Sequence, residues 1–151
     1  MKIDRTVKIG APIEKVWEAI MDVPSVAALI PGVEKVERID EKNYKFTMKS
    51  KVAGIPVSFE LLTNITEMER PVLIKTVTDG KALGGLGRVS QTQTLRLKAL
   101  SDSEVEIVYE AEMMLVGRLA TFGERIFRAK ATEMGDNFIE AFVKKVSIAP
   151  A

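Results

Sequence analysis

The chain has 151 residues, 46% of them hydrophobic and 28% charged, with a formal net charge of +1. That is the balance of one soluble globular domain, and it offers no whole-molecule charge argument for nucleic acid or a membrane. Neither cysteine nor histidine occurs, which excludes disulfides, thiolate nucleophiles and cysteine-ligated metal, and removes the usual general base at neutral pH.

Met1-Lys2-Ile3-Asp4 opens no signal peptide, because no apolar core follows the first charge. The longest apolar runs, around Val26 to Pro31 and Met113 to Val116, fall far below the ~20 residues of a membrane span. The expected location is the cytoplasm.

Ile3, Val7 and Ile9 alternate with Asp4, Thr6 and Lys8, as in a half-buried strand. Gly10-Ala11-Pro12 ends it. Ile13, Val16, Trp17 and Ile20 then form one apolar helical face. Asp22 and Pro24 start a second short helix, and Ile30-Pro31-Gly32 stops it.

Strands follow in succession. Val33 to Ile39 is joined by Asp40-Glu41-Lys42-Asn43 to Tyr44, Phe46 and Met48. Gly54 opens a third segment with Val57, Phe59, Leu61, Thr63 and Ile65 on one side. Val72 to Thr78 comes next, then a glycine-rich turn from Gly80 to Gly87, then Val89 to Leu97. After Ser101-Asp102-Ser103, Val105, Ile107, Tyr109, Ala111, Met113 and Leu115 alternate with glutamates. Short turns between such segments imply an antiparallel meander with one dry face.

From Leu119 to Val146, apolar residues recur at gaps of mostly three and four, predicting one amphipathic helix roughly 40 Å long at ~1.5 Å per residue. Gly123 and Gly135 each cost it about 1 kcal/mol relative to alanine. Its apolar stripe also drifts, so a bend near a glycine or a curved partner is expected. The order strand, two short helices, six strands, long helix gives an α+β fold: a curved seven-stranded antiparallel sheet gripping a long C-terminal helix. One domain over residues 1–147 and a short tail, 148–151, are expected.

Gly80 to Gly87 is no phosphate loop, since strand residues and not a helix N-terminus follow it and no Walker Gly-Lys-Ser/Thr occurs. Gln91 and Gln93 share parity with Leu95 and Leu97, so they point inward. They either pair with each other, with backbone or with Tyr109, or meet the polar end of a ligand. Tyr109 also has inward parity. Trp17, Met113 and Phe122 either line a pocket or fill the core. The inward set that would hold a small molecule is Trp17, Phe59, Leu61, Gln91, Gln93, Tyr109, Ala111, Met113, Phe122 and Ile126. Glu104, Glu106, Glu110 and Glu112 lie on the wet parity and form no catalytic pair. Arg5 alone breaks the inward pattern of the first strand, either at an open end or paired with an acid. Arg118, Arg125, Arg128 and Lys130 cluster near the start of the last helix, as an exposed rim or as a docking patch. No catalytic residue, metal ligand or cofactor is expected.

Pro12 to Trp17, the Ile30-Pro31-Gly32 break, the glycine turn ending at Gly87, and Val116-Gly117-Arg118-Leu119-Ala120-Thr121-Phe122-Gly123 together resemble the carbon monoxide dehydrogenase G-subunit family, of the START-related, Bet v 1-like helix-grip superfamily (SRPBCC). The resemblance covers nearly the whole chain. It implies a seven-stranded sheet gripping the last helix over an apolar cavity, and an accessory role beside a molybdenum-flavin hydroxylase in membrane recruitment and quinone handling. Longer members carry an extended tail, whereas this chain stops at Ala151, so at most transient membrane contact is expected. The expected function is binding or carriage of a lipid or isoprenoid quinone, without catalysis. The competing functions are a small cyclase- or hydratase-like enzyme and an assembly factor with a filled core.

Overall fold

A computed structural model describes residues 1–147; the expected tail, 148–151, lies outside the described residues. Strand β1 (Lys2–Ile9) leads into helices α1 (Ile13–Met21) and α2 (Val23–Leu29). Six strands follow: β2 (Val33–Arg38), β3 (Asn43–Val52), β4 (Ile55–Glu69), β5 (Leu73–Ala82), β6 (Gly87–Ser101) and β7 (Glu104–Val116). Helices α3 (Arg118–Thr121) and α4 (Glu124–Val146) close the described chain. The strands form one 7-stranded sheet in the order β1-β7-β6-β5-β4-β3-β2, antiparallel throughout. β1 crosses over to pair with the last strand, and every other neighbour is consecutive in sequence, as short turns demand.

Two expectations are corrected. The turn expected from Gly80 begins only at Leu83, because β5 carries on through Gly80 to Ala82. It is flanked there on both sides, Gly80 pairing with Leu61 of β4 and Val89 of β6, and an interior strand keeps its ladder where both neighbours offer partners. The helix expected from Leu119 to Val146 is two helices. Gly123 stands at the N-cap of α4 with φ 87°, a left-handed conformation that glycine adopts without a Cβ penalty, and it separates α3 from α4. The break separates the stripe before Gly123 from the one after it; within α4, Phe127 is buried and Ile126, one residue earlier, is 36% exposed.

α2 starts where Asp22 caps it, its carboxylate accepting from the Ser25 hydroxyl at 2.7 Å, and that bond holds the Asp22 pKa below its ordinary value. α4 packs across the concave side of the sheet, its backbone close to β1 on one flank and β3 on the other, with α1 and α2 near it as well.

The apolar interior is divided in two. A lower cluster gathers Val16, Trp17, Ile74, Leu97, Ile107, Phe142 and Val146, under α1 and the C-terminal half of α4. An upper cluster gathers Val57, Phe59, Ala82, Val89, Leu119 and Phe127, under α3 and the start of α4. What separates them is the candidate site.

Candidate functional site

Along each central strand the inward positions run apolar, polar, apolar. β4 passes from Phe59 through Thr63 to Ile65, β5 from Ala82 through Thr78 and Thr76 to Ile74, and β6 from Val89 through Gln91 and Gln93 to Leu97. On β7 the sequence is Met113, Ala111, Tyr109, Ile107. Register aligns these changes: Thr63 faces Thr78, Thr78 faces Gln91, and Thr76 faces Gln93. A polar waist therefore crosses the concave face between the two apolar clusters.

Its side chains bond to one another. Thr63 and Thr78 share a hydroxyl contact at 2.8 Å. Gln93 Oε1 accepts from Thr76 at 2.8 Å and from Thr78 at 3.4 Å, and Gln93 Nε2 donates to the Tyr109 hydroxyl at 3.0 Å. Gln91 Nε2 donates to the same hydroxyl at 3.3 Å. Gln93 and Tyr109 are diagonal neighbours across β6 and β7, a separation that long side chains bridge. Burial raises the Tyr109 pKa above its ordinary value, and the two amide bonds only partly offset this, so the phenol is neutral at physiological pH.

The waist is less sealed than its flanks. Thr63, Thr76, Gln91, Gln93, Tyr109 and Met113 are half-buried although they occupy the middle of the sheet, while Phe59, Ile65, Ile74, Val89 and Ile107 on either side are buried. The reason lies in the helix. Between Phe127 and Phe138 the half-buried residues of α4 include Ala131, Met134 and Gly135, and two of these three are small. Arg5 pins this part of α4 to the edge strand and not to the sheet centre: it pairs with Asp136 and donates to Thr132 O at 3.0 Å. Arg128 does the same higher up, donating to Lys2 O at 2.7 Å. Two surface clefts lie elsewhere, one of about 380 Å³ at the β5–β6 hairpin and one of about 200 Å³ between the start of α2 and β2; neither is lined by waist residues.

The expected site residues do not all meet. Gln91, Gln93 and Tyr109 are brought into direct contact. Phe59, Leu61, Met113 and Phe122 belong to the upper cluster, and Phe122 meets Phe127 edge to face. Ala111 faces Gln93 across the ladder and is buried. Trp17 sits apart in the lower cluster, 2% exposed. Ile126, expected inward, is exposed, because the next residue of the same helix, Phe127, takes the buried position. Thr63, Thr76 and Thr78 are waist residues outside the expected site set; Thr63 shares the side of Phe59 and Leu61 in the sequence, and the available signal for Thr76 and Thr78 is their inward parity on β5. The four cations near the last helix do not act as one group. Arg128 is engaged with Glu124 and Lys2, and Lys130 is half-buried. Arg118 and Arg125 are exposed and form no ion pair among the described residues.

A curved antiparallel sheet wrapped about a long C-terminal helix, with two short helices after the first strand, defines a helix-grip protein of START type. Solved structures agree. The chain is similar to a conserved protein from Geobacillus kaustophilus (TM-score 0.88, 21% identity, covering 97% of this chain and 95% of that one). It is similar to a START superfamily protein from Mycobacterium smegmatis (TM-score 0.73, 11% identity, 96% of each chain) and to the Zhui aromatase/cyclase from Streptomyces sp. R1128 (TM-score 0.72, 18% identity, 97% and 93%). At these identities the likeness is one of fold. No curated protein matches the chain. Residues 6–147 match the carbon monoxide dehydrogenase G-subunit (CoxG) family, and the chain belongs to it.

The glycines by which the chain resembles this family have a place in the geometry. Gly87 and Gly117 hold the β5–β6 hairpin against the β7–α3 corner: a Cβ on Gly87 would stand 2.0 Å from Val116 O, and Leu119 N donates to Leu86 O at 2.8 Å.

Proposed function

We propose that this protein binds and carries an apolar molecule with a small oxygen-bearing head, an isoprenoid quinone or similar lipid, between the concave sheet and α4. The observation that supports this reading is the polar waist: neutral donors and acceptors set between two apolar clusters, at the part of the interior that stays half-buried. Small-molecule sites are mostly apolar with a few placed polar groups. Burying ~300 Å² of ligand tail would gain roughly 7 kcal/mol gross at ~25 cal/mol per Å², before ordering costs reduce it. The tail supplies affinity and the waist selects the head.

A binder is favoured over an enzyme by the chemistry of the waist. Inward positions of β4 to β7 carry apolar side chains, hydroxyls, amides and one neutral phenol, a set suited to orienting a ligand more than to moving its protons. The family membership supports a role accessory to a molybdenum hydroxylase of the carbon monoxide dehydrogenase type. Transient contact with a membrane, at which such a ligand would be collected by a cytoplasmic protein, is supported by exposed Ile55, Leu83 and Val116, which share one end of the sheet. Among the described residues no helix is long and apolar enough to cross a membrane.

Native mass spectrometry of the purified protein, followed by organic extraction, tests the reading. A stoichiometric lipophile is expected, or uptake of added quinone from detergent-free solution. A protein that arrives empty and takes up no quinone or lipid would instead be an assembly factor with a filled core.

A further inference from the structure

The hydrogen bonds of the waist leave two groups uncommitted, side by side. The Tyr109 hydroxyl accepts from Gln91 and from Gln93, so its own proton must go elsewhere. Its cross-strand neighbours offer no side-chain acceptor, being Leu95 on β6 and Arg5 on β1, the first apolar and the second donor-only. Gln91 Oε1, on the other side of the same contact, receives no donor among the described residues, and no buried side-chain oxygen is left unpaired there, so this oxygen is open to solvent. A phenol proton and an amide acceptor that the waist itself does not use thus lie within one side-chain contact of each other.

We propose that this pair makes the site indifferent to the oxidation level of the ligand head: a carbonyl oxygen is bound by the Tyr109 proton, and the corresponding hydroxyl by Gln91 Oε1. The inference rests on the carrier reading above and deepens it. A site with donors alone would favour the carbonyl form, since a bound hydroxyl would lose its own hydrogen bond to water without replacement. A site with acceptors alone would favour the alcohol. With one of each, both forms of one lipophile are held on the same tail, as a carrier serving a redox enzyme would require if it delivers one form and removes the other. The neutral state of Tyr109 keeps the donor present at physiological pH.

Three probes of one chain length separate the contributions: methyl pentadecyl ketone, the matching secondary alcohol, and heptadecane. The parent protein is expected to bind ketone and alcohol within about threefold of each other, and both more tightly than the hydrocarbon. Tyr109→Phe should weaken the ketone about tenfold and the alcohol much less, and Gln91→Leu should do the reverse, with heptadecane binding retained by both variants as the sign of an intact fold. A parent preference above tenfold for either oxygenated probe overturns the inference while leaving the carrier reading standing. So does equal weakening of both probes by each variant, which would mean that the amides turn over to suit either head. Binding of none of the three probes by the parent would remove the carrier reading itself.

Discussion

The guanidinium of Arg5 lies against the bare backbone of Gly135: a Cβ on that glycine would stand 3.4 Å from Arg5 Nη2 and 3.7 Å from Cζ. Each residue explains the other. Arg5 is the one charge at an inward position of β1, and Gly135 is the one glycine inside α4. The guanidinium spans the gap, reaching Asp136 and the Thr132 carbonyl, and so fixes the helix to the edge strand above the polar waist. A helix held by its flank need not collapse onto the sheet centre, where the waist residues Gln91, Gln93 and Tyr109 are half-buried.

Gly135→Ala is expected to be neutral or stabilising by up to about 1 kcal/mol, since the new methyl meets the flexible Arg5 side chain at ordinary contact distance and the helix gains propensity. Gly135→Leu should reverse the sign, because its longer side chain must displace the guanidinium from Asp136. Arg5→Leu should cost roughly 1 kcal/mol, modest because Asp136 is largely exposed. Urea midpoints at unchanged slope decide all three.

Gly87→Ala should be among the most damaging single-methyl changes in the chain. Its Cβ would meet backbone, Val116 O at 2.0 Å, and its φ of +129° is strained for any L side chain. A loss of about 3 kcal/mol or more is expected, or no folded protein. Gly10→Ala is the control, with nothing within 4 Å of the new atom, and should fall within about 0.5 kcal/mol of the parent. Similar melting temperatures for the two variants would show that the hairpin and the β7–α3 corner are not locked together as described.

Much of this architecture is legible in the alternation of residues. The strands announce themselves by period-two patterning, whereas the pairing of β1 with the last strand does not, since alternation names a face and not a partner. Gln91, Gln93 and Tyr109 can be placed inward because leucines and isoleucines of the same parity fix the face. Thr76 and Thr78 are hidden for a physical reason: threonine suits a strand on either face, so its presence carries no sign of inwardness, whereas Thr63 is placed by the apolar residues that share its side of β4. The break at Gly123 is half-legible: the drift of the stripe calls for a bend near a glycine or a curved partner, but Leu119 and Phe122 keep helical spacing with residues beyond Gly123, so a full separation into two helices is not. Pairing of Arg5 with an acid is one of two readings open from sequence; that the acid is Asp136, beside a glycine, depends on how α4 lies on β1.

Alkaline titration should show Tyr109 directly. Its folded pKa is raised above the unfolded one because burial disfavours the phenolate. The neutral phenol therefore contributes stability that is complete below the ordinary tyrosine pKa of about 10 and is lost as pH rises through the higher folded value. Denaturation midpoints between about pH 8 and pH 12 should fall more steeply in the parent than in Tyr109→Phe, and tyrosinate absorbance should lag that of the unfolded chain. Identical profiles for the two proteins would mean that the phenol is solvated.

Gln93 and Tyr109 should prove to be one energetic unit. Gln93 is the hub of the waist, accepting from two threonines and donating to the phenol, so Gln93→Leu leaves the Thr76 hydroxyl without its acceptor, Thr78 with Thr63 alone and Tyr109 with one amide. The expected cost is about 1–3 kcal/mol, the usual range for polar groups stripped of a partner inside a protein, with the lower half favoured because water reaches this half-buried region. Tyr109→Phe should cost a similar amount by orphaning the two Nε2 groups. In the double variant the Gln93–Tyr109 bond is already absent, so the losses should fall short of additivity by about 0.5 kcal/mol or more. Strict additivity would mean that the two side chains are solvated independently, and the waist would then be a set of separate polar residues with no shared network to present to a ligand.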